Sequence, residues 1–471
     1  MKEVTAIFDI GKTNKKLLLF DTDGIALKEE LKQFKPIKDE DGFPCENINA
    51  ITKWLKLEWN KLLKSEEFLV SAVNFTAYGA SFVHLGKNGK PAAPLYDYLK
   101  PIPKEITKKF YSEIREKLRQ SSKEFAEATC SPKLGMLNSG MQLYWIKKCK
   151  PELWKKIEHS LHLPQYLSYL ITGKRVSDYT SIGCHTALWN FKKFQYSSWV
   201  TGDILDKLAP IATERLMVMN ENKNQQNKTP IKVGFGLHDS SAALIPYLNP
   251  SHRSFILIST GTWSIQLNPF NNTPLTSKQL HNDCLCYLQT DGTQVKASRL
   301  LLGKEHDYQT NRIAHFFNVA ADFNAELDFD ETIFWKVRTK IKTFFYPACM
   351  EGTGSFHKPS TKEWTLSVFQ NETEAYHSLI IELVSMLKVS IQLIDVPRVK
   401  TFFVDGGFAK NKIFMNVLAY SLYQKKVAAS YLPQSTALGA FLHLHERQGV
   451  KGGDFDLHFK VYTCSANKKI K

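Results

Sequence analysis

The sequence predicts an α/β protein of two domains, and three observations carry that expectation. The chain has 471 residues, beyond the roughly 100 to 200 that one domain usually takes. A strand–turn–strand opening, Val4–Phe8 and Leu17–Phe20 around Asp9-Ile10-Gly11-Lys12-Thr13-Asn14, returns in the second half. There it reads Phe255–Ile258 and Trp263–Leu267 around Ser259-Thr260-Gly261-Thr262, as an internal duplication would give. Finally, Thr401–Val404 is a short β-branched and aromatic strand running into Asp405-Gly406-Gly407 and then a helix, the order of an α/β layer fold.

The remaining elements follow from periodicity and punctuation. Turn residues Asp21–Gly24 lead to a strand near Ile25–Phe34. Ile51, Trp54, Leu55, Trp59, Leu62 and Leu63 recur at helical spacing and predict a helix over Asn47–Leu63. Phe68–Phe75 is strand-like, a hairpin turns at Lys87-Asn88-Gly89, and Lys133–Trp199 is mostly helical. Asn220–Pro230, the most polar stretch, is the boundary loop, giving domains 1–230 and 231–446 and a basic tail 447–471. Asn371 is expected to cap a long helix that ends before Pro397. A helix over Asn411–Gln424, a strand Val427–Tyr431 and a helix capped by Ser435 close the order.

Composition narrows the function classes. With 43% hydrophobic, 12% aromatic and 23% charged residues the chain is globular rather than disordered. Its net charge of +16, 62 basic against 46 acidic residues, raises nucleic acid as a partner. The lysines stand singly or beside acids, as on solvated faces, and no arginine-rich stripe carries spaced aromatics; no nucleic-acid partner is expected, and the charge suits a phosphorylated small molecule. Glu3 and Asp9 interrupt the apolar run that a secretory signal needs, and no stretch of about 18 apolar residues occurs, so a soluble cytoplasmic protein without a membrane partner is expected. The eight cysteines are scattered, without zinc spacing or a disulfide framework.

A Gly-Thr turn between strands lets backbone N–H groups converge on an anion, because glycine has no Cβ to block approach. Each such turn alone is equally an ordinary hairpin. Asp9, at the end of the first strand, is placed either to hold Mg²⁺ or to bond its own turn. Asp239, in Gly234–Ala243, is either a helix N-cap or a general base. Asp405–Asn411 stands where an α/β fold admits a nucleotide, although the P-loop and the GxGxxG fingerprint are both absent.

In this order the pieces resemble the FGGY carbohydrate kinases over nearly the whole chain. Asp9–Lys16 (DIGKTNKK) is similar to the first phosphate motif of that family, Phe235–Ala243 to its catalytic-base segment, and Leu257–Ile265 (LISTGTWSI) to its second phosphate motif. Val404–Asn411 is similar to the adenosine motif, and Ser435–Leu438 (STAL) to the closing helix start. His238-Asp239, Thr260–Trp263 and Tyr78–Val83 look most like the fuculokinase and rhamnulokinase branch.

The resemblance implies two actin-like (ribonuclease H-like) ATPase domains with a catalytic cleft between them, ATP and Mg²⁺, a ketose substrate, and a homodimer as an allowed assembly. Carried over by position, Asp239 is the base, and Gly79, His238 and Ser240 face the sugar. Gly11, Lys12, Thr13, Asn14, Lys16, Gly261 and Thr262 contact phosphates, Gly407 and Asn411 line the nucleotide pocket, and Asp9 serves the metal. Lys16 stands where arginine is usual, Lys12 replaces a small residue, and Ser81 stands where similar kinases carry aspartate. The rival from another class is an actin-fold nucleotide switch or sugar sensor without kinase activity.

Overall fold

Val4–Phe8 reads as a mostly apolar run because it is buried throughout, as a strand paired on both sides and covered on both faces must be. The computed structural model, which describes residues 1–79, 81–219, 230–248, 254–350, 354, 362–430, 432, 434–445 and 459–462, places it at the centre of a sheet. Lys2–Ile10 pairs antiparallel with Lys15–Phe20, setting Asp9 opposite Lys16, and parallel with Phe68–Ala77, setting Ile10 opposite Ala77. Among the described residues the order is Leu216–Met219, Ile231–Gly234, Phe68–Ala77, Lys2–Ile10, Lys15–Phe20, Ala26–Lys32, and the short strand Leu237–His238 also pairs with Phe68–Ala77. Helix Ile48–Leu63 lays Ile51, Trp54, Leu55 and Trp59 on this sheet, Trp54 meeting Phe8 edge-on, and Asn47 caps it by accepting from the Ala50 N–H.

The second sheet repeats the plan. Its order is Cys284–Leu288, Gln294–Leu300, Ser264–Asn268, Phe255–Thr260, Thr401–Gly406, Lys426–Ser430, Phe459–Tyr462. Phe255–Thr260 pairs antiparallel with Ser264–Asn268 and parallel with Thr401–Gly406, as Lys2–Ile10 does with its neighbours. In both sheets a second parallel strand follows on one side and a second antiparallel strand on the other. The duplication expected from the two hairpins is therefore present in whole sheets. Asn371 and Asn411 cap the helices Glu372–Gln392 and Lys412–Ser421, accepting from the N–H of Glu374 and Phe414.

The domain boundaries differ from expectation. The chain divides into a first unit of Met1–Pro250, Cys286–Gln294 and Gln434–Asp454 and a second of Ser251–Leu285, Val295–Pro433 and Phe455–Lys471. Polarity placed the boundary at 230, in a loop whose residues 220–229 lie outside the described residues. The parallel pairing of Lys232 and Val233 with Ala72 and Val73 instead keeps 231–248 in the first unit. The closing helix Ser435–Leu444 also belongs there: the Asn74 amide donates to the Ala440 carbonyl and Phe441 packs on Phe20. Ser435 is its first residue rather than its cap, which is Gln434 in left-handed conformation. Within the expected tail, Phe459–Tyr462 is an edge strand antiparallel to Lys426–Ser430.

No helix among the described residues is long and apolar enough to cross a membrane, and none of the described cysteines forms a disulfide. Gly406 is fixed by geometry: its φ is +85°, and a Cβ there would lie 1.9 Å from the Thr260 carbonyl oxygen. Gly406→Ala is expected to cost about 3 kcal/mol through left-handed strain and steric overlap, read as a lowered urea midpoint for the second unit.

Candidate functional site

In the first unit three strand ends come into one row. Ile10 and His238 each lie opposite Ala77, so the next residues, Gly11, Tyr78 and Asp239, leave the sheet side by side. The chain turns into helix Asp239–Leu244 with His238 in the cap position, so Asp239 is the first helical residue and not the cap. Its Oδ1 accepts from the Ser240 N–H at 2.6 Å and the Ser240 hydroxyl at 3.2 Å, with His238 Nε2 at 3.2 Å. Among the described residues Oδ2 accepts nothing. Burial pushes the Asp239 carboxyl up to about 6, against the Ser240 hydrogen bonds that favour its ionised form.

His238 is buried and its pKa is pushed down to about 3, so the ring beside Asp239 is a neutral imidazole and not a counter-ion. It stacks on Tyr287, and its backbone N–H donates to the Thr180 hydroxyl. Gly79 is required here because a Cβ would lie 2.6 Å from His238 Nε2. Ser240, expected to face a sugar, uses its hydroxyl on Asp239 instead.

Asp9 Oδ1 accepts from the Thr76 hydroxyl at 2.7 Å across the parallel pair. Burial raises the Asp9 carboxyl to about 6; the Thr76 bond opposes this, the charge on Asp239 adds to it, and Lys16 opposes it again. Asp9 and Asp239 therefore act on each other electrostatically. Lys16, opposite Asp9 in the hairpin, pairs with Glu29 at 2.8 Å. Gly11, Thr13 and Asn14 form the turn between them, with the Asn14 Oδ1 accepting from Gln33. Lys12 does not stand free for an anion: its Nζ is 2.7 Å from Asp97 Oδ2.

In the second unit the matching turn opens one wall of a cavity of about 530 Å³. Gly261 and Thr262 meet the start of helix Leu302–Phe317, where Gly303 N–H donates to the Thr262 carbonyl. Gly407, Phe408, Lys410, Asn411 and Lys412 close the opposite wall, with His306, Asp307 and Asn324–Leu327 between. The Tyr376 hydroxyl ties this wall together, bonded to Asn411 at 2.7 Å, His306 at 2.8 Å and Asn324 at 3.2 Å. Four sequence-chosen residues, Gly261, Thr262, Gly407 and Asn411, thus line one pocket. The sequence reading missed His306, Asp307, Asn324 and Tyr376, whose only signal was a location in helices without a recognised motif. Arg299 and Gln309 are held by Asp283 and Glu305.

The pocket has the size of a small-molecule site, and the row in the first unit sets the Asp239 carboxylate beside the Gly11–Asn14 turn. These are the parts of a phosphotransferase. The family models agree: residues 4–245 match the N-terminal domain of the FGGY family of carbohydrate kinases, and residues 252–451 match the FGGY carbohydrate kinase C-terminal domain. The chain belongs to the FGGY family and is a carbohydrate kinase. It is 22% identical over 452 residues to a rhamnulokinase of Halalkalibacterium halodurans, covering 92% of this chain and 91% of that protein. Among solved structures it is similar to a carbohydrate kinase from Novosphingobium aromaticivorans, with TM-score 0.80, 22% identity and coverage of 98% and 94%. It is also similar to a ligand-bound xylulose kinase from Lactobacillus acidophilus, with TM-score 0.76, 16% identity and coverage of 98% and 94%.

The raised carboxyl of Asp239 has a sign that can be checked. Its folded pKa of about 6 lies above its ordinary 3.8, so folding is favoured by protonation and loses that contribution as pH rises from 4 through 6. Because the side chain is 32% exposed, water screens part of the effect. Asp239→Asn is expected to raise the thermal midpoint by roughly 2 to 4 °C at pH 7.5 and to leave it unchanged at pH 4, by calorimetry.

Proposed function

We propose that the protein transfers the γ-phosphoryl group of ATP to a primary hydroxyl of a ketose, with Asp239 as general base. The ketose is a deoxyketohexose or a pentulose, such as fuculose, rhamnulose or xylulose, and the reaction belongs to the cytoplasm. The observation that carries this reading is the open Oδ2 of Asp239, at the head of a helix and in register with the Gly11–Asn14 turn. The relative named rhamnulokinase and the neighbour named xylulose kinase support the two sugar classes.

Phosphoryl transfer needs positioning and charge neutralisation more than covalent chemistry. The adenosine lies against Phe408, Gly407 and Asn411, and the phosphates reach the Gly261-Thr262 turn. Transfer then requires the γ-phosphate to meet the hydroxyl beside Asp239, where Oδ2 takes the proton as the oxygen attacks phosphorus. Ser240 holds the Asp239 carboxylate by hydrogen bonds, and the adjacent His238 ring is neutral, so no positive charge weakens it as a base.

Among the described residues no three metal-ligating side chains cluster. An oxygen ligand set of one carboxylate with water and substrate phosphates is what Mg²⁺ takes. Asp9, with Thr76 fixing one oxygen, is the residue that would hold it, and the ion would neutralise the charge on the phosphate oxygens.

Three outcomes are expected. A coupled ADP assay over a ketose panel is expected to show ADP release that depends on one sugar, whereas release indifferent to every sugar would identify a nucleotide switch. Asp239→Asn is expected to lower kcat by about 10² to 10⁴ with little change in ATP affinity. The wild-type kcat/KM is expected to fall about tenfold per pH unit below pH of roughly 6, because the base must be ionised and its pKa is held up by burial.

A further inference from the structure

The Gly11–Asn14 turn carries Lys12 and is followed at once by Lys15, and both lysines are committed to acids. Lys15 is buried, with its ammonium 2.9 Å from Glu46 and bonded to the Lys12 carbonyl. Lys12 reaches Asp97 at 2.7 Å and lies 3.8 Å from Glu46. It also sits over two rings, 5.4 Å from the centroid of Tyr78 and 5.2 Å from that of Tyr98, which meet each other edge-on at 6.0 Å. To contact a phosphate on the turn, Lys12 would have to give up a charge-assisted hydrogen bond and two aromatic faces.

The place where Lys12 is held adjoins the base. Tyr78 follows Ala77, the residue opposite both Ile10 and His238, and precedes Gly79, which packs against the His238 ring. Tyr98 lies within the field of Asp239: burial raises its hydroxyl pKa first, and the charges of Asp97, Asp239 and Glu46 raise it further. Asp97 is itself fixed, one oxygen accepting from the Leu99 N–H and the other from Lys12. Lys12 keeps 32% of its side chain exposed, and an ammonium has three donors, of which Asp97 takes one.

We infer that Lys12 is a sugar-binding residue and not a phosphate ligand, donating to a hydroxyl or carbonyl oxygen of the ketose beside Asp239. Asp97 is its positioning residue, and the Tyr78 and Tyr98 rings are the apolar shelf on which it rests. This rests on the ketose kinase reading and refines it: the cation makes recognition depend on an oxygen acceptor at one place along the sugar.

The test is Lys12→Met assayed with the ketose that the wild type turns over fastest, together with calorimetric binding of MgADP in the absence of sugar. The expected result is a KM for the ketose raised about tenfold or more, with the KM for ATP and the MgADP dissociation constant within about twofold of wild type. Asp97→Asn, which removes the charge and leaves one acceptor oxygen where two are used, is expected to raise the ketose KM by a smaller factor with the same indifference to ATP. Should Lys12→Met fail to fold, Lys12→Arg and Asp97→Asn carry the same comparison of the two KM values. A MgADP affinity or ATP KM weakened tenfold with an unchanged ketose KM would make Lys12 a phosphate ligand, and no change in either would make it a scaffold residue; both overturn the inference while leaving the kinase reading intact. A wild type that phosphorylates no ketose overturns the functional reading itself, and this inference with it.

Discussion

One strand constrains the whole of the first unit's chemistry. Phe68–Ala77 pairs in parallel with Lys2–Ile10 on one side and with Ile231–Gly234 and Leu237–His238 on the other. Because strand periodicity is two, a slip of one residue on either side would turn Asp9 or Asp239 to the opposite face. The register is pinned from within: Asn74 is buried, bonds the Gly236 N–H and reaches the closing helix, while Thr76 bonds Asp9. Recognition and chemistry thus depend on hydrogen bonds that touch no substrate.

The site is also electrostatically expensive. Two carboxyls near each other, both pushed by burial to about 6, would each be more comfortable neutral. The fold tolerates them through short-range donors, Thr76 for one and Ser240 for the other, rather than through buried cations. The lysines nearby are neutralised by other acids: Lys16 by Glu29, Lys12 by Asp97 and Lys15 by Glu46. The surplus of basic residues in the sequence therefore does not accumulate at these carboxylates.

What the sequence made legible was local. The two hairpins and the asparagine cap at 371 carry their reason within a few residues. Asp239 was legible as a helix start because small residues follow it, while its reading as a base came from the likeness of Phe235–Ala243 to the family's segment. The partner of Lys12 was not, since Asp97 is 85 positions away and nothing in either segment names the other. Nor was the Tyr376 hydroxyl that joins Asn411, His306 and Asn324, which three separate segments must fold to reveal. The division at 230 failed for a related reason: polarity marks where a chain meets water, whereas membership of a unit is decided by strand pairing.

The return of helix Ser435–Leu444 to the first sheet has a consequence for biosynthesis. Thr5 bonds His445, and Asn74 bonds the Ala440 carbonyl, so strand Lys2–Ile10 and helix Ser435–Leu444 complete one another. A nascent chain emerges amino end first, and domains ordinarily assemble as they appear. Here the leading sheet must wait, with one apolar face uncovered, until residue 445 has left the ribosome, which makes that interval the one in which chaperones have most to shield.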